Sequence, residues 1–415
     1  MKNKRILLIS HNFSPEPIGV GKYNGEMINW LAKAGYDCTV ITTFPYYPYW
    51  KVQAPYTNRW YKREVINYPE SGAELKIYRC PSYIPQNPTG GRRTMQDFSY
   101  LMSKFFVVTR FLFSKEKFDL IITIAPPFHL AYLGLMLRNI RGGRLLYHIQ
   151  DLQIEAARDL NLFKNATVLK VLFKIERNIL SSANYASTIS DGMISRVKTK
   201  VNRDIVFFPN WVDTEAFYPL PDRGDIKQRW GYDKDDLICL YSGAAGIKQG
   251  LDHVIDAAGE LQAYPGIKFI ICTSGPYKDE LQRDAEARGL RNVVFMQLQP
   301  KEKFNEFLNL ADVHLVVQKA SAADLVMPSK LSTILAVGGL SVITAVRDTT
   351  LYNITTQNDF GYVIEPGDGK ILAQKVLDIK IDPTAAQKRA NARNYAMQYL
   401  NIDTVMERFE KQFLS

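Results

Sequence analysis

Apolar residues along this 415-residue chain recur in two alternating rhythms: short solid runs, and stretches with apolar positions about one helical turn apart. Solid runs of about four to eight residues read as strands buried on both faces, and the turn-spaced rhythm reads as amphipathic helices. The first run, residues 5–10, leads through a loop holding Pro15 and Pro17 to a helix predicted over 23–34. Gly35 closes that helix, and a second strand follows over 38–42. Further strands are expected at 75–79, 120–124, 144–148, 183–189 and 205–208. Pro209-Asn210-Trp211-Val212-Asp213 then breaks the rhythm, and a polar, proline-containing stretch follows. A fresh set begins at 237–242 and continues at 268–273, 293–296, 313–317 and 341–344. Strand–helix alternation of this kind predicts an α/β protein with two doubly wound parallel sheets. The expected division is a Rossmann-like domain over 1–210 and a second over 211–385. A helical segment over 386–415 is expected to return to the first. Ligands belong at the C-terminal ends of such strands, in a central cleft that the two domains face.

Two stretches carry the strongest chemical signal. Residues 240–250 (Leu-Tyr-Ser-Gly-Ala-Ala-Gly-Ile-Lys-Gln-Gly) read as a strand end followed by a glycine-rich turn with a lysine, running into a helix. Asp324-Leu325-Val326-Met327-Pro328-Ser329-Lys330 leads into a second helix start. Free backbone N–H groups and the positive end of the helix dipole can hold phosphate at both places. Two such helix starts in one domain predict a ligand with a diphosphate. The spacing Gly19-x-Gly21-x-x-x-Gly25 is a poor match to a dinucleotide fingerprint, because no acid follows the second strand, which ends in Thr42-Thr43. A loop able to approach a ligand closely is the better reading.

Composition narrows the class. An apolar content of 46% suffices for two cores. The four cysteines, Cys38, Cys80, Cys239 and Cys272, are widely spaced and form no metal-ligand pattern, which suits a reducing compartment. The apolar run after the basic start is too short for an export signal, and no stretch approaches a bilayer-spanning length. A net charge of +10 points to anionic partners. It gathers with aromatic residues at 43–63, including Tyr46, Tyr47 and Trp50, and at 92–117, including Arg93, Phe105, Phe106, Arg110 and Phe111. Rings and cations so mixed suit an acidic membrane surface. The plain alternative is a buried helix over 94–113 with one wet face. No nucleic-acid module accompanies the charge, and nucleic acid is not expected as a partner.

In this order the motifs resemble the GT-B glycosyltransferases of family 4 over essentially the whole chain. The carriers are Gly19/Gly21, His148-Ile149-Gln150-Asp151, Phe208-Pro209-Asn210-Trp211-Val212-Asp213, the Gly243–Gly250 turn and Pro328-Ser329-Lys330. Pro45-Tyr46-Tyr47-Pro48, Lys248-Gln249-Gly250-Leu251 and Leu335-Ala336-Val337-Gly338-Gly339 are similar to the WcaI-type enzymes of colanic acid and related exopolysaccharide synthesis. That resemblance implies a retaining, metal-independent enzyme at the cytoplasmic face of the membrane. It implies fucose from GDP-fucose as donor and a polyprenyl-diphosphate-linked glycan as acceptor, with no cofactor. It implies donor contacts at Gly19, Gly21, Gly243, Gly246, Gln249, Gly250, Gly275, Gln297, Leu298, Gln318, Ser329 and Thr333. Lys248 and Lys330 would neutralise the departing diphosphate, Asp324 would orient sugar hydroxyls, and His148 would close over the sugar.

The chain departs from the family pattern where chemistry is concentrated. Ala244 and Gln249 stand where an Arg and a Lys are usual, and Thr333 stands where the second of two glutamates belongs. His148 could be a satisfied core histidine, and Lys248 or Lys330 a surface lysine. Two other functions therefore compete with glycosyl transfer. One is sugar-nucleotide epimerisation, disfavoured because no carboxylate–histidine set for acid–base elimination is evident. The other is non-catalytic membrane docking within a polysaccharide assembly complex.

Overall fold

The computed structural model describes residues 4–16, 19–86, 90–159, 166–243, 245–320 and 328–415. The chain divides into two compact units, Met1–Pro209 with Met406–Ser415, and Asn210–Val405.

Eight strands among the described residues build the first unit: β1 (Arg5–Ile9), β2 (Asp37–Thr43), β3 (Lys62–Tyr68), β4 (Ala73–Cys80), β5 (Leu120–Ala125), β6 (Arg144–Ile149), β7 (Tyr185–Thr188) and β8 (Val206–Phe207). Their order is β3-β4-β2-β1-β5-β6-β7-β8. Every pairing is parallel except β3 with β4. β5 is buried along its whole length, as its unbroken apolar run predicts for a central strand covered on both faces. β3 is the strand the hydrophobic pattern misses. Its residues are mostly exposed because it is an edge strand, so nothing in its sequence alternates.

Helices cover both faces. One over Ala131–Arg141 lies close against β5 and β6, because a Cβ on Gly134 would stand 2.7 Å from Thr123 and 2.8 Å from Leu145. The chain's last residues return to this unit. Tyr36 donates to Glu410 at 2.6 Å, Arg144 donates to the Phe413 carbonyl at 2.7 Å, and Phe409 packs on Phe208. Strand order reverses between β1 and β5, which makes their C-terminal ends the switch point of the sheet.

The second unit has six strands among the described residues: β9 (Leu237–Ser242), β10 (Ile267–Cys272), β11 (Val293–Met296), β12 (Val313–Val316), β13 (Ser341–Thr344) and β14 (Gly361–Ile364). All are parallel, in the order β11-β10-β9-β12-β13-β14. β14 is an edge strand that the sequence pattern also omits. The helix Ala385–Tyr395 stays with this unit, held by Arg393 on the carbonyls of Phe217 and Ala336. The switch point lies between β9 and β12. Both doubly wound sheets are as the alternating rhythm predicts.

Candidate functional site

The glycine-rich turn follows β9 directly, at the switch point of the second sheet. Gly243 has φ of 146° and Gly250 has φ of 64°, conformations that residues with a Cβ rarely adopt. Between them a short 3₁₀ turn, Ile247–Gln249, sets Lys248 into solvent and leads to the helix Asp252–Glu260. The loop after β12 is tied to this turn, since the Lys319 N–H donates to the Lys248 carbonyl at 2.8 Å. Gln318 is fastened in turn to β13, its N–H donating to Thr344 Oγ1 at 2.7 Å and its carbonyl accepting from the same hydroxyl at 2.8 Å. These bonds order the edge where a ligand of a doubly wound sheet sits.

Lys330 is the unusual member. It stands in the first turn of the helix Ser329–Ala336, and its ammonium reaches back over the Tyr241 ring, 3.4 Å from the centroid. A Cβ on Gly243 would lie 3.5 Å from the same nitrogen, so the glycine turn and the lysine share one small space. The nitrogen is enclosed and has no hydrogen-bond partner among the described residues. Burial pushes its pKa down to about 7. An enclosed cation beside a glycine turn can receive an anion, because an incoming negative charge replaces the missing partner. Tyr241 is a site residue that sequence reasoning passes over. Strand alternation puts it on the same face as Gly243, but only the fold brings the Lys330 ammonium onto its ring.

The other expected donor residues lie on the same sheet edge or near it. Gly275 caps the helix Pro276–Ala287 after β10 with φ of 102° and open space at its Cβ direction. Gln297 and Leu298 follow β11. The Gln297 carbonyl accepts from Cys272 Sγ, and Leu298 is exposed. Ser329 is exposed at its helix start, while Thr333 turns its hydroxyl back to the Lys330 carbonyl at 2.9 Å. Gly246 is extended and lies close to the Gln249 side chain. Asp324 and Ala244 lie outside the described residues. No group of three or more His, Cys, Asp or Glu side chains among the described residues is arranged to hold a metal.

Residues expected to act from the first unit meet a different setting. His148 is enclosed in β6, its Nδ1 2.9 Å from Ser187 Oγ and its ring 5.0 Å from that of Phe208. Burial depresses its pKa to about 3, so the ring is neutral, with Nδ1 taken up by Ser187. This setting is the one the core-histidine alternative expects. Gly21 and Gly25 serve packing. A Cβ on Gly21 would stand 2.5 Å from Glu16 Oε2, and one on Gly25 2.6 Å from Ser14. Gly19, with φ of 62°, begins the helix Gly19–Lys33 beside Tyr47.

The aromatic-basic segment over 92–117 divides by face along the helix Gly90–Leu112. Phe111, expected at a membrane surface, is 2% exposed and belongs to the core, and Phe105 packs partly against that core. Tyr46 is also buried, its hydroxyl 2.7 Å from His11 Nε2. Helical rotation decides this, because positions one residue apart point about 100° apart. Met95, Phe98, Met102, Phe106 and Phe113 form an exposed stripe instead, with Phe106 61% exposed and Arg110 also exposed beside it. Trp50 lies beneath Arg93, 5.4 Å from ring centroid to guanidinium. No helix among the described residues is long and apolar enough to cross a membrane.

Comparison with known proteins agrees with this architecture. Residues 19–211 match the glycosyl transferase 4-like domain, and residues 222–399 match the glycosyl transferases group 1 family. The chain is 37% identical over 413 residues to WcaI of Escherichia coli (strain K12), assigned as a glycosyl transferase of colanic acid biosynthesis, with 98% of each chain covered. Sucrose-phosphate synthase from Thermosynechococcus elongatus superposes with a TM-score of 0.74 at 17% identity, covering 99% of this chain and 98% of that one. HepE of Anabaena, in complex with UDP and glucose, superposes with a TM-score of 0.68 at 14% identity, covering 99% of both chains. At these identities the two superpositions speak for the fold.

Proposed function

Because the chain belongs to the group 1 glycosyl transferases with a 4-like N-terminal domain, we propose that it transfers fucose from GDP-fucose to a lipid-linked glycan, with retention at the anomeric carbon and without metal. Glycosyl transfer of the exopolysaccharide type on a GT-B fold is its general activity. The observation that carries the donor side is the enclosed Lys330 ammonium beside Gly243, which has no hydrogen-bond partner among the described residues.

A nucleotide diphosphate seated there would meet Lys330 and the N–H groups opening the helix Ser329–Ala336, with the solvent-exposed Lys248 free to swing toward it. As the glycosidic bond to the diphosphate stretches, negative charge grows on the leaving oxygen. A cation held in a desolvated place stabilises that charge more than it stabilises the ground state. The departing phosphate oxygen then takes the acceptor hydroxyl's proton while the new bond forms on the same face of the sugar. This route needs no protein nucleophile.

The acceptor side rests on the exposed stripe from Met95 to Phe113, with Arg110 beside it. An apolar helix face flanked by cations suits the surface of an acidic bilayer, where a polyprenyl diphosphate would be presented.

The test is a thermal-shift screen against GDP-, UDP-, ADP- and dTDP-sugars, with and without divalent metal, followed by NMR of the product's anomeric linkage. Selective stabilisation by GDP-fucose, unchanged by metal, and a β-linked product from the β-linked donor support the proposal, whereas an α-linked product would mean inversion and overturn the retaining route. Selective response to a UDP-sugar, as HepE's ligand invites, would replace the donor. No response to any donor would favour a docking role.

A further inference from the structure

A second set of buried basic groups lies in the first unit, where the donor reading makes no use of it. It gathers at the C-terminal ends of β1 and β5, the switch point of that sheet. His11 follows β1, His129 follows β5, and Tyr100 and Lys104 come from the inner face of the helix Gly90–Leu112. Tyr100 is the centre. The His11 ring packs against it at 4.0 Å between centroids, the His129 ring stacks on it at 5.8 Å with an interplanar angle of 11°, and the Lys104 ammonium lies 4.5 Å from its centroid.

Three nitrogens around this ring lack any hydrogen-bond partner among the described residues although water cannot reach them: His11 Nδ1, His129 Nε2 and Lys104 Nζ. Lys104 is completely buried. Of the neighbouring carboxylates, Asp97 accepts from the Tyr100 hydroxyl at 3.0 Å, and Glu16 accepts through Oε1 from the backbone of Tyr46 and Tyr47 at 3.0 Å each, its buried Oε2 having no hydrogen-bond partner among the described residues. Arg79 is paired with Glu64, and Cys80, the other titratable neighbour of Lys104, is a buried thiol held protonated. Burial, and after it the nearby Lys104 charge, holds both histidines neutral, and burial draws Lys104 down to about 8. A buried lysine with no counter-charge destabilises a fold, and its neutral apolar replacement would not. Such an arrangement is expected where a ligand supplies the missing charge. His129 is the partly exposed member of the cluster.

We propose that Lys104, His11 and His129 form a receptor for an oxyanion, phosphate or carboxylate, carried by the acceptor. The inference deepens the glycosyl-transfer reading, since strand ends at a switch point of the non-donor unit are where an acceptor group would seat. Lys104 supplies the charge. The two imidazoles supply directed donors, each taking up a proton as the anion enters.

The test reads the histidine ring signals by NMR in full-length protein, which contains five histidines, titrated separately with inorganic phosphate, farnesyl phosphate and glucuronate. The expected result is a rise in the apparent pKa of His11 and His129 by about one unit or more with at least one probe. Response to the phosphates assigns a phosphorylated acceptor group, and response to glucuronate alone assigns a uronic acid. Lys104→Met should abolish the response and raise the melting temperature of the unliganded protein. A Lys330→Met variant should retain the response, which separates this site from the donor's and keeps the test independent of donor identity. Histidine signals in the wild-type protein indifferent to all three probes would overturn the proposal, whatever the variant does. A response undiminished in Lys104→Met would overturn it equally.

Discussion

Replacing Lys330 with Met tests the donor site at its most exposed physical assumption. The ammonium is enclosed, lacks a hydrogen-bond partner among the described residues, and titrates near 7 in place of 10.5. At about 1.4 kcal/mol per pKa unit, that displacement corresponds to roughly 5 kcal/mol of differential interaction against the charged form. The cation over the Tyr241 ring at 3.4 Å recovers about 2 kcal/mol of it, as for a desolvated pair. Met keeps the stem and removes the charge, so the unliganded variant should be more stable than wild type by about 1–3 kcal/mol at pH 6. The sign with pH follows from proton counting. Between pH 7 and 10.5 the unfolded chain holds a proton on Lys330 that the native protein has lost. Wild-type stability relative to the variant should therefore rise through that window, with a limiting slope of about 1.4 kcal/mol per pH unit. The penalty is complete below 7 and relieved as pH increases. Denaturant unfolding of both proteins at pH 6 and pH 9 measures the difference. Calorimetry with the donor identified by the screen should show at least a tenfold loss of affinity in the variant. A variant that is less stable at pH 6 and binds the donor as wild type does would refute the anion-receptor reasoning for Lys330.

Three further outcomes follow from the packing. Phe106→Ser, on the exposed stripe, should change stability by no more than about 0.5 kcal/mol while releasing protein from acidic vesicles in a sedimentation assay. Phe111→Ser should cost about 3–5 kcal/mol in denaturant unfolding, because its ring fills the core beside Tyr78 and Phe118. Lys200 bridges the buried carboxylates of Glu155 and Glu176. Lys200→Met should therefore destabilise the protein by about 3–5 kcal/mol, read by the same unfolding experiment, and Glu155→Gln combined with it should recover part of the loss.

Much of the second unit's candidate donor edge was legible in the chain. Solid apolar runs located β9, β10, β11, β12 and β13, and glycines with a lysine marked the turn at Gly243–Gly250. These signals are local, since strand period, turn chemistry and helix starts all act between residues close in sequence. The edge strands β3 and β14 escaped because exposure on one or both faces removes the apolar run that announces a central strand.

What the sequence could not decide was which side chains face one another. His148, Lys104 and Lys330 are each a polar residue near an apolar run, and spacing treats them alike. Strand order buried His148 against Ser187 with its bond satisfied, whereas helix packing buried Lys104 and Lys330 without a partner among the described residues. Rotation of one helix likewise sent Phe106 outward and Phe111 inward. The sequence by itself determined the alternating strands and helices and the glycine turn, because neighbouring residues suffice to specify them. Only the tertiary structure decided which charges are desolvated, since that depends on segments far apart in the chain closing over the same nitrogen.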